Sequence, residues 1–230
     1  MTLYAEPILA DVRQTLQDEG STRKWSDVDL VGYGNEGVRT IALFKPDATA
    51  KTATIALAAG TRQLLPADGL RLIKLTRNMG ADGNTPGRPV HVADAETLAR
   101  FAPDWHTRVG VDEIENYAYD ENDPKVFWVF PPAKAGRRVE GVYSAVPAAM
   151  DAAGLNYDNP VVVVPLDDVY EAVLKAWMLR CAFGVEISSI TSQRLATRYE
   201  QSFASMLGIK WRIDMFVSPN QQQPKSEVLT

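Results

Sequence analysis

Histidine and cysteine are scarce in this sequence, at two and one among 230 residues. Cys181 alone can form no internal disulfide, so the fold is expected to stand in a reducing compartment. A nucleophilic cysteine would need His91 or His106 as its base. Cys181 lies in the dense apolar run AWMLRCAFG and reads as a packed core thiol. Basic residues are outnumbered, 24 against 29, for a formal net charge of -5. That balance argues against a protein that grips nucleic acid through its phosphates, though not against one that DNA slides past. Phosphate-loop, His-Glu-x-x-His, Cys-cluster and Gly-x-Ser-x-Gly patterns are missing, so no cofactor, metal or catalytic set is expected. The glycine-rich GYGNEG at 32–37 follows no strand and fails the context of a dinucleotide loop. No apolar run approaches the ~20 residues that span a bilayer. The start, MTLYAEPILADVRQ, carries Glu6 and Asp11 and lacks the basic-then-apolar order of a signal peptide. A soluble chain made in the cytosol, with no membrane partner, is the expectation.

What is present is ordinary globular material, 46% hydrophobic and 23% charged, enough to bury a sizeable core. Ile8, Leu9, Val12 and Leu16 recur at helical spacing, with Gly20 as the stop. Ser26 and Asp29 form a capping-box variant. Trp25 and Leu30 flank it as a hydrophobic staple, and Leu30, Val38 and Ile41 continue the stripe to Pro46. Gly32, Gly34 and Gly37 inside this pattern imply either close packing or a local break. From 52 to 92 the period becomes two, with a turn at Pro66–Gly69. In the run after it, Leu70, Leu72, Lys74 and Thr76 fall on one side and Arg71, Ile73, Leu75 and Arg77 on the other, which leaves the buried face undecided. RPVHV reads as a short strand, with His91 an edge residue. DAETLARFAP reads as a short helix capped by Asp94. Further strands follow over 115–146, with Val139, Val142 and Tyr143 pairing back onto Phe127 to Phe130 across a loop at Ala133–Gly136. After Pro165, Leu166, Val169, Tyr170, Val173, Trp177 and Cys181 mark one apolar face. Leu195, Tyr199, Phe203, Met206 and Leu207 mark another, on a helix ended by Gly208.

Two stretches invite chemistry. In YDENDPKVFWVFPP, Asp120, Glu121 and Asp123 could hold a cation or a proton, but no mid-loop glycine or second helix accompanies them. A turn ending in Asn122-Asp123-Pro124 is usually wet, so a structural turn is the first reading and a surface cation or an acid/base pair the weaker ones. Phe127, Trp128 and Phe130 have only Lys125 nearby, so they read as core or subunit interface and not as a base-stacking platform. In APDWHTR, Asp104 and His106 suggest a dyad, the basis of an alternative reading as a small hydrolase.

The expected fold class is α+β: a helical bundle from both chain ends with an inserted antiparallel β lobe. Residues 1–46 and 161–210 supply the bundle, 47–160 the lobe and 211–230 a flexible C-terminal arm.

The ordered set WSDVDL, KPDA, GTRQLLPADGLRLIKLTRNM, GRPVHVAD, PDWH, YAYDENDPKVFWVFPP, VYSAVP, VPLDDVYEAVLKAWMLRCAFG and YEQSFASMLG covers roughly residues 5 to 210. In that order and spacing the chain resembles tailed-bacteriophage head-to-tail adaptor (connector or neck) proteins. It is similar in architecture to the gatekeeper, or tubular, proteins of short-tailed phages. It departs from the pattern where Val31, Gly32 and Tyr33 stand in place of a leucine-tryptophan pair. The resemblance implies a structural virion protein, not an enzyme. It implies a ring, commonly twelvefold, between the portal and the next tail or nozzle component, with genomic DNA passing through its lumen. Another tail-completion protein is the nearer alternative. Trp211, Ile213, Met215, Phe216 and Val217, ahead of a polar end, are the candidate partner-binding residues, expected to order on the portal.

Overall fold

The computed structural model describes residues 2–20, 23–120, 122–186 and 189–217, with 209–217 as backbone only. In chain order these form helices α1 (Ala5–Leu16), α2 (Asp27–Phe44), α3 (Ala95–Phe101), α4 (Glu171–Gly184) and α5 (Ile190–Val217). The strands are β1 (Ala50–Ala56), β2 (Gly60–Leu64), β3 (Gly69–Met79), β4 (Pro86–Pro89), β5 (His91–Val92), β6 (Asn116–Tyr119), β7 (Val126–Ala133) and β8 (Arg138–Ala145). The fold is α+β, as the change of period along the sequence predicts. Residues up to Lys45 and from Ala148 onward make one compact unit, and Pro46–Pro147 make the other.

In the helical unit, α1 buries Ile8, Leu9 and Val12. It stops at Gln17, left-handed at φ 55°, whose N–H reaches the Arg13 and Gln14 carbonyls. The stop therefore comes before Gly20, because the C-terminal carbonyls are satisfied by a non-glycine cap. The α2 capping box is complete, and Trp25 and Leu30 are both buried beside it. The helix is unbroken through its glycines. A Cβ on Gly37 would lie 2.7 Å from Leu174 and 2.9 Å from Trp177, and one on Gly34 2.9 Å from Met150, whereas Gly32 faces open space. Close packing is thus the reason for two of the three, against α4 at Gly37 and against Met150 at Gly34. α4 buries Val173, Leu174, Met178, Leu179 and Cys181 around most of its circumference. Val169, assigned to its apolar face from spacing, is exposed in the preceding 3-10 turn. α5 packs through Phe203 and Leu207, with Trp177 and Phe203 rings 4.8 Å apart and Phe183 stacked on Tyr199 at 5.8 Å. It does not end at Gly208. The backbone stays helical to Val217, since a lone glycine costs a helix only about 1 kcal/mol.

Charged tethers join the distant segments of this unit. Buried Glu6 accepts N–H groups from Asn156, Val161 and Val162 at 3.2, 3.0 and 3.1 Å. Burial pushes its carboxyl up, but those donors outweigh it and hold it below its ordinary value. Buried Arg13 binds Asp18, the Trp25 carbonyl and Asp27, and Tyr157 donates to the same Asp27 oxygen at 2.6 Å. Burial raises the Asp27 carboxyl as well, and again Tyr157 and Arg13 bring it down overall.

The β unit has two four-stranded sheets, β1-β8-β3-β4 and β2-β7-β6-β5. Ile55, Leu72, Leu75, Val139 and Tyr143 of the first share one apolar core with Tyr117, Phe127, Val129 and Ala133 of the second. Hence β8 does not fold back onto β7. It pairs with β1 and β3, while β7 pairs with β2 and β6. Phe127 and Val129 bury more by facing Val139 and Tyr143 across a core than by lying beside them in one sheet. The two crossings brace each other: Leu57 donates its N–H to Arg137 at 2.7 Å and accepts from Gly136 at 3.0 Å. The RPVHV run also divides between sheets, β4 joining the first and β5 the second, with buried Val90 between them. β5 pairs with β6 in parallel, so the lobe is not antiparallel throughout. His91 is exposed on that edge strand.

Candidate assembly surfaces

Asp104 and His106 take different partners, and Asp120 and Asp123 close a turn. Asp104 forms a two-point ion pair with Arg108, at 3.2 and 2.8 Å, and the arginine brings its carboxyl below the ordinary value. His106 instead meets Thr61, Oγ1 to Nδ1 at 2.8 Å, and stacks at 3.8 Å on buried Trp105. No Asp104–His106 dyad forms, because the arginine one helical turn on is the better partner for the carboxylate. Asp120 accepts from Asn122 through both its backbone N–H and its side chain, at 2.9 Å each, and its carbonyl accepts the Asp123 N–H at 3.2 Å. This is a side-chain-stabilised turn. Glu121 lies outside the described residues. Among the described residues no group of three or more His, Cys, Asp and Glu is placed to hold a metal. Burial pushes the Cys181 thiol up, away from the reactive thiolate. Phe127 is fully buried in the β core, with Trp128 and Phe130 half-buried on the same strand. None of the described helices is long and apolar enough to cross a membrane.

What stands out is apolar surface without a partner among the described residues. The end of α2, Trp177 at the middle of α4 and the middle of α5 line a groove of about 550 Å³. Phe44, Trp177, Phe203, Ala204 and Leu207 supply its walls, and Thr40, Lys45 and Glu200 its polar rim. Leu43 and Phe44 are 77% and 63% exposed. The Trp177 Nε1 is buried, with no acceptor among the described residues. Such a groove favours an apolar segment. In the β unit, α3 buries none of its residues and Phe101 is 86% exposed.

Both surfaces escaped a reading by periodicity. Leu43 and Phe44 come just after the Val38–Ile41 stripe and merge with it in sequence, but at about 100° per residue Leu43 is carried off that face. Phe44, three residues after Ile41, keeps the phase of the stripe and is exposed at the helix's last position. Trp211, Ile213, Met215, Phe216 and Val217 stand on the last turns of α5, and their side chains lie outside the described residues.

The family model for the SU10 adaptor protein matches residues 5–223. Among solved structures, the chain is similar to one from the neck of an empty GTA particle computed with C6 symmetry. Identity is 18%, coverage is 78% of this chain and 79% of that one, and the TM-score is 0.25, too low to support any detail of placement. No curated protein matches.

Proposed function

Because the chain belongs to the SU10 adaptor protein family, we propose that it is a structural virion protein of a tailed phage, joining head to tail. It forms a ring, twelvefold in its finished state, between the portal and the next tail component, and genomic DNA passes through the lumen. The observation that carries this reading is the family match across 5–223. The surfaces described above support it. A ring closes through heterologous contacts, so each subunit needs one face that fits a different face of its neighbour. The α2–α4–α5 groove and the exposed end of α2 are surfaces of the required kind. The work is done by contact and not by bond-breaking, in keeping with the separate partners of Asp104 and His106.

Portal docking falls to the C-terminal end of α5 and the residues beyond it. Trp211, Ile213, Met215, Phe216 and Val217 lie past the last groove residue, Gly208. Removing residues 211–230 tests this. The truncated chain should lose attachment to purified portal rings while hydrogen exchange in α1, α2 and α4 stays as in the full chain. Undiminished portal binding would defeat the assignment.

A further inference from the structure

Among the described residues Phe101 is the most exposed of the large hydrophobic side chains, at 86%. It ends α3, a helix of seven residues that buries none of them. A helix so short does not persist on propensity alone and must be held from outside. Asp94 caps its start, accepting the Thr97 N–H at 2.8 Å and the Thr97 hydroxyl at 2.9 Å. Just past its end, Ala102 donates its N–H to the Leu98 carbonyl at 2.9 Å, and both Ala102 and Trp105 are buried. α3 is therefore fixed at both ends while Phe101 projects from it. Leu98, one turn back and so on the same side, is half-buried.

We infer that α3 of a second copy of this chain fills the α2–α4–α5 groove, with Phe101 as the knob and Arg100 on Glu200. The inference rests on the adaptor reading above and adds to it the contact that joins one subunit to the next. The groove walls hold three aromatic rings, Phe44, Trp177 and Phe203, which can take a fourth in offset or edge-on packing. The charges at its rim match as well. Glu200 stands there exposed, with no hydrogen bond or ion pair among the described residues. Arg100, next to Phe101, pairs with Glu96 at 3.6 Å, and the two side chains are 79% and 82% exposed. An ion pair so wet holds little, so Arg100 can exchange Glu96 for Glu200 at small cost. Knob and groove are also unlike patches of one chain, α3 in the β unit and the groove in the helical unit. A contact between unlike patches is heterologous, the kind a ring needs, and leaves each pair of copies with a free knob and a free groove for the next.

One aromatic knob and one ion pair make a weak contact between two free chains. Copies held side by side on a portal meet at high effective concentration, and each is gripped twice, by its knob and by its groove. Ring closure then follows attachment to the portal.

Disulfide trapping in the full chain is the test, because it captures weak contacts. Cys181, the one cysteine of the sequence, is buried, so the parent should not cross-link. Chains carrying Arg100→Cys and chains carrying Glu200→Cys, mixed and oxidised with and without portal rings, should give a mixed dimer and nothing larger. A chain carrying both substitutions should give a ladder of dimer, trimer and beyond. Phe101→Ser or Ala204→Arg added to these chains should slow cross-linking about tenfold. Both positions are exposed, so circular dichroism of these variants should match the parent. Absence of the mixed dimer, with portal rings and without, would overturn the inference. So would Arg100→Cys chains that pair as fast with one another as with Glu200→Cys chains, which would make the contact symmetric. An internal disulfide in the double variant, without mixed dimers from the single ones, would make the chain's own α3 the occupant and likewise overturn it. Attachment to the portal is scored separately by electron microscopy. Rings on the portal without the mixed dimer would sink this inference alone. Mixed dimers beside a bare portal would uphold the contact and sink the adaptor reading.

Discussion

The two units bury different kinds of polar group. Among the described residues the buried charged side chains are Glu6, Arg13, Asp18 and Lys45, all in the helical unit, which also buries the neutral Ser192. The β unit buries Thr61, Gln63, Asn78 and Ser144, all neutral. The difference follows from how each is assembled. The helical unit joins the chain's start to residues 148 and beyond, so Glu6 must hold loop backbone about 150 residues away in sequence. A carboxylate gathering three N–H groups makes a strong link of that kind, since charge-assisted hydrogen bonds are roughly twice as strong as neutral ones. The β unit is one continuous stretch whose ladders satisfy most of its backbone. Its amides only patch irregular corners. Asn78, for example, bonds the Ile114 N–H and carbonyl and the Arg88 carbonyl.

Acid is the broadest way to break that contrast. Glu6 and Asp27 sit below their ordinary values in the folded chain, so their contribution is complete above the unfolded values of 4.5 and 3.8. It is lost as pH falls through the lower folded values. Hydrogen exchange from pH 7 to pH 3, corrected for intrinsic rates, should show α1 and the 156–164 loop losing protection before the β core does. Simultaneous loss would erase the distinction. Next in size, Glu6→Ala strands three buried donors and should cost about 3 kcal/mol in urea unfolding, with the exchange change confined to the helical unit. In the β unit, Asn78→Ala should cost about 2 kcal/mol at any pH between 4 and 8, because no charge is involved. The smallest pair sharpens the packing side. Gly37→Ala should lose about 1 to 2 kcal/mol through overlap with Leu174 and Trp177, whereas Gly32→Ala, facing open space, should gain about 0.5 to 1 kcal/mol in thermal unfolding. Equal effects of the two would mean that helix propensity and not α2–α4 contact governs those glycines.

Sequence pattern reached the helices further than the strands, for a physical reason. A helix announces itself through local rules: Ser26 and Asp29 cap α2 by bonds three residues apart, and Leu195 through Leu207 repeat at one period. Strand placement depends on partners far along the chain. The undecided face of β3 is the clearest instance, because bulges convert its period from two to three and neither alternating set is the buried one. Likewise, a short loop between Ala133 and Arg138 serves a hairpin or a crossing between sheets equally well. The shared core of Phe127, Val129, Val139 and Tyr143 decides, together with the Leu57 bonds from the other crossing. Gly208 misled in the opposite direction, since a glycine permits a helix end without requiring one. For the assembly surfaces, composition identified an apolar C-terminal segment. The groove needed Phe44, Trp177 and Phe203 brought together from three helices, which the period of no single helix shows.

The central claim is that this protein acts by docking, as an adaptor. Purified portal rings mixed with the full chain and imaged by electron microscopy test it most directly. The account predicts an added ring in register with the portal, one copy per portal subunit. A chain that stays monomeric and leaves the portal bare under conditions where authentic tail assembly proceeds would contradict it.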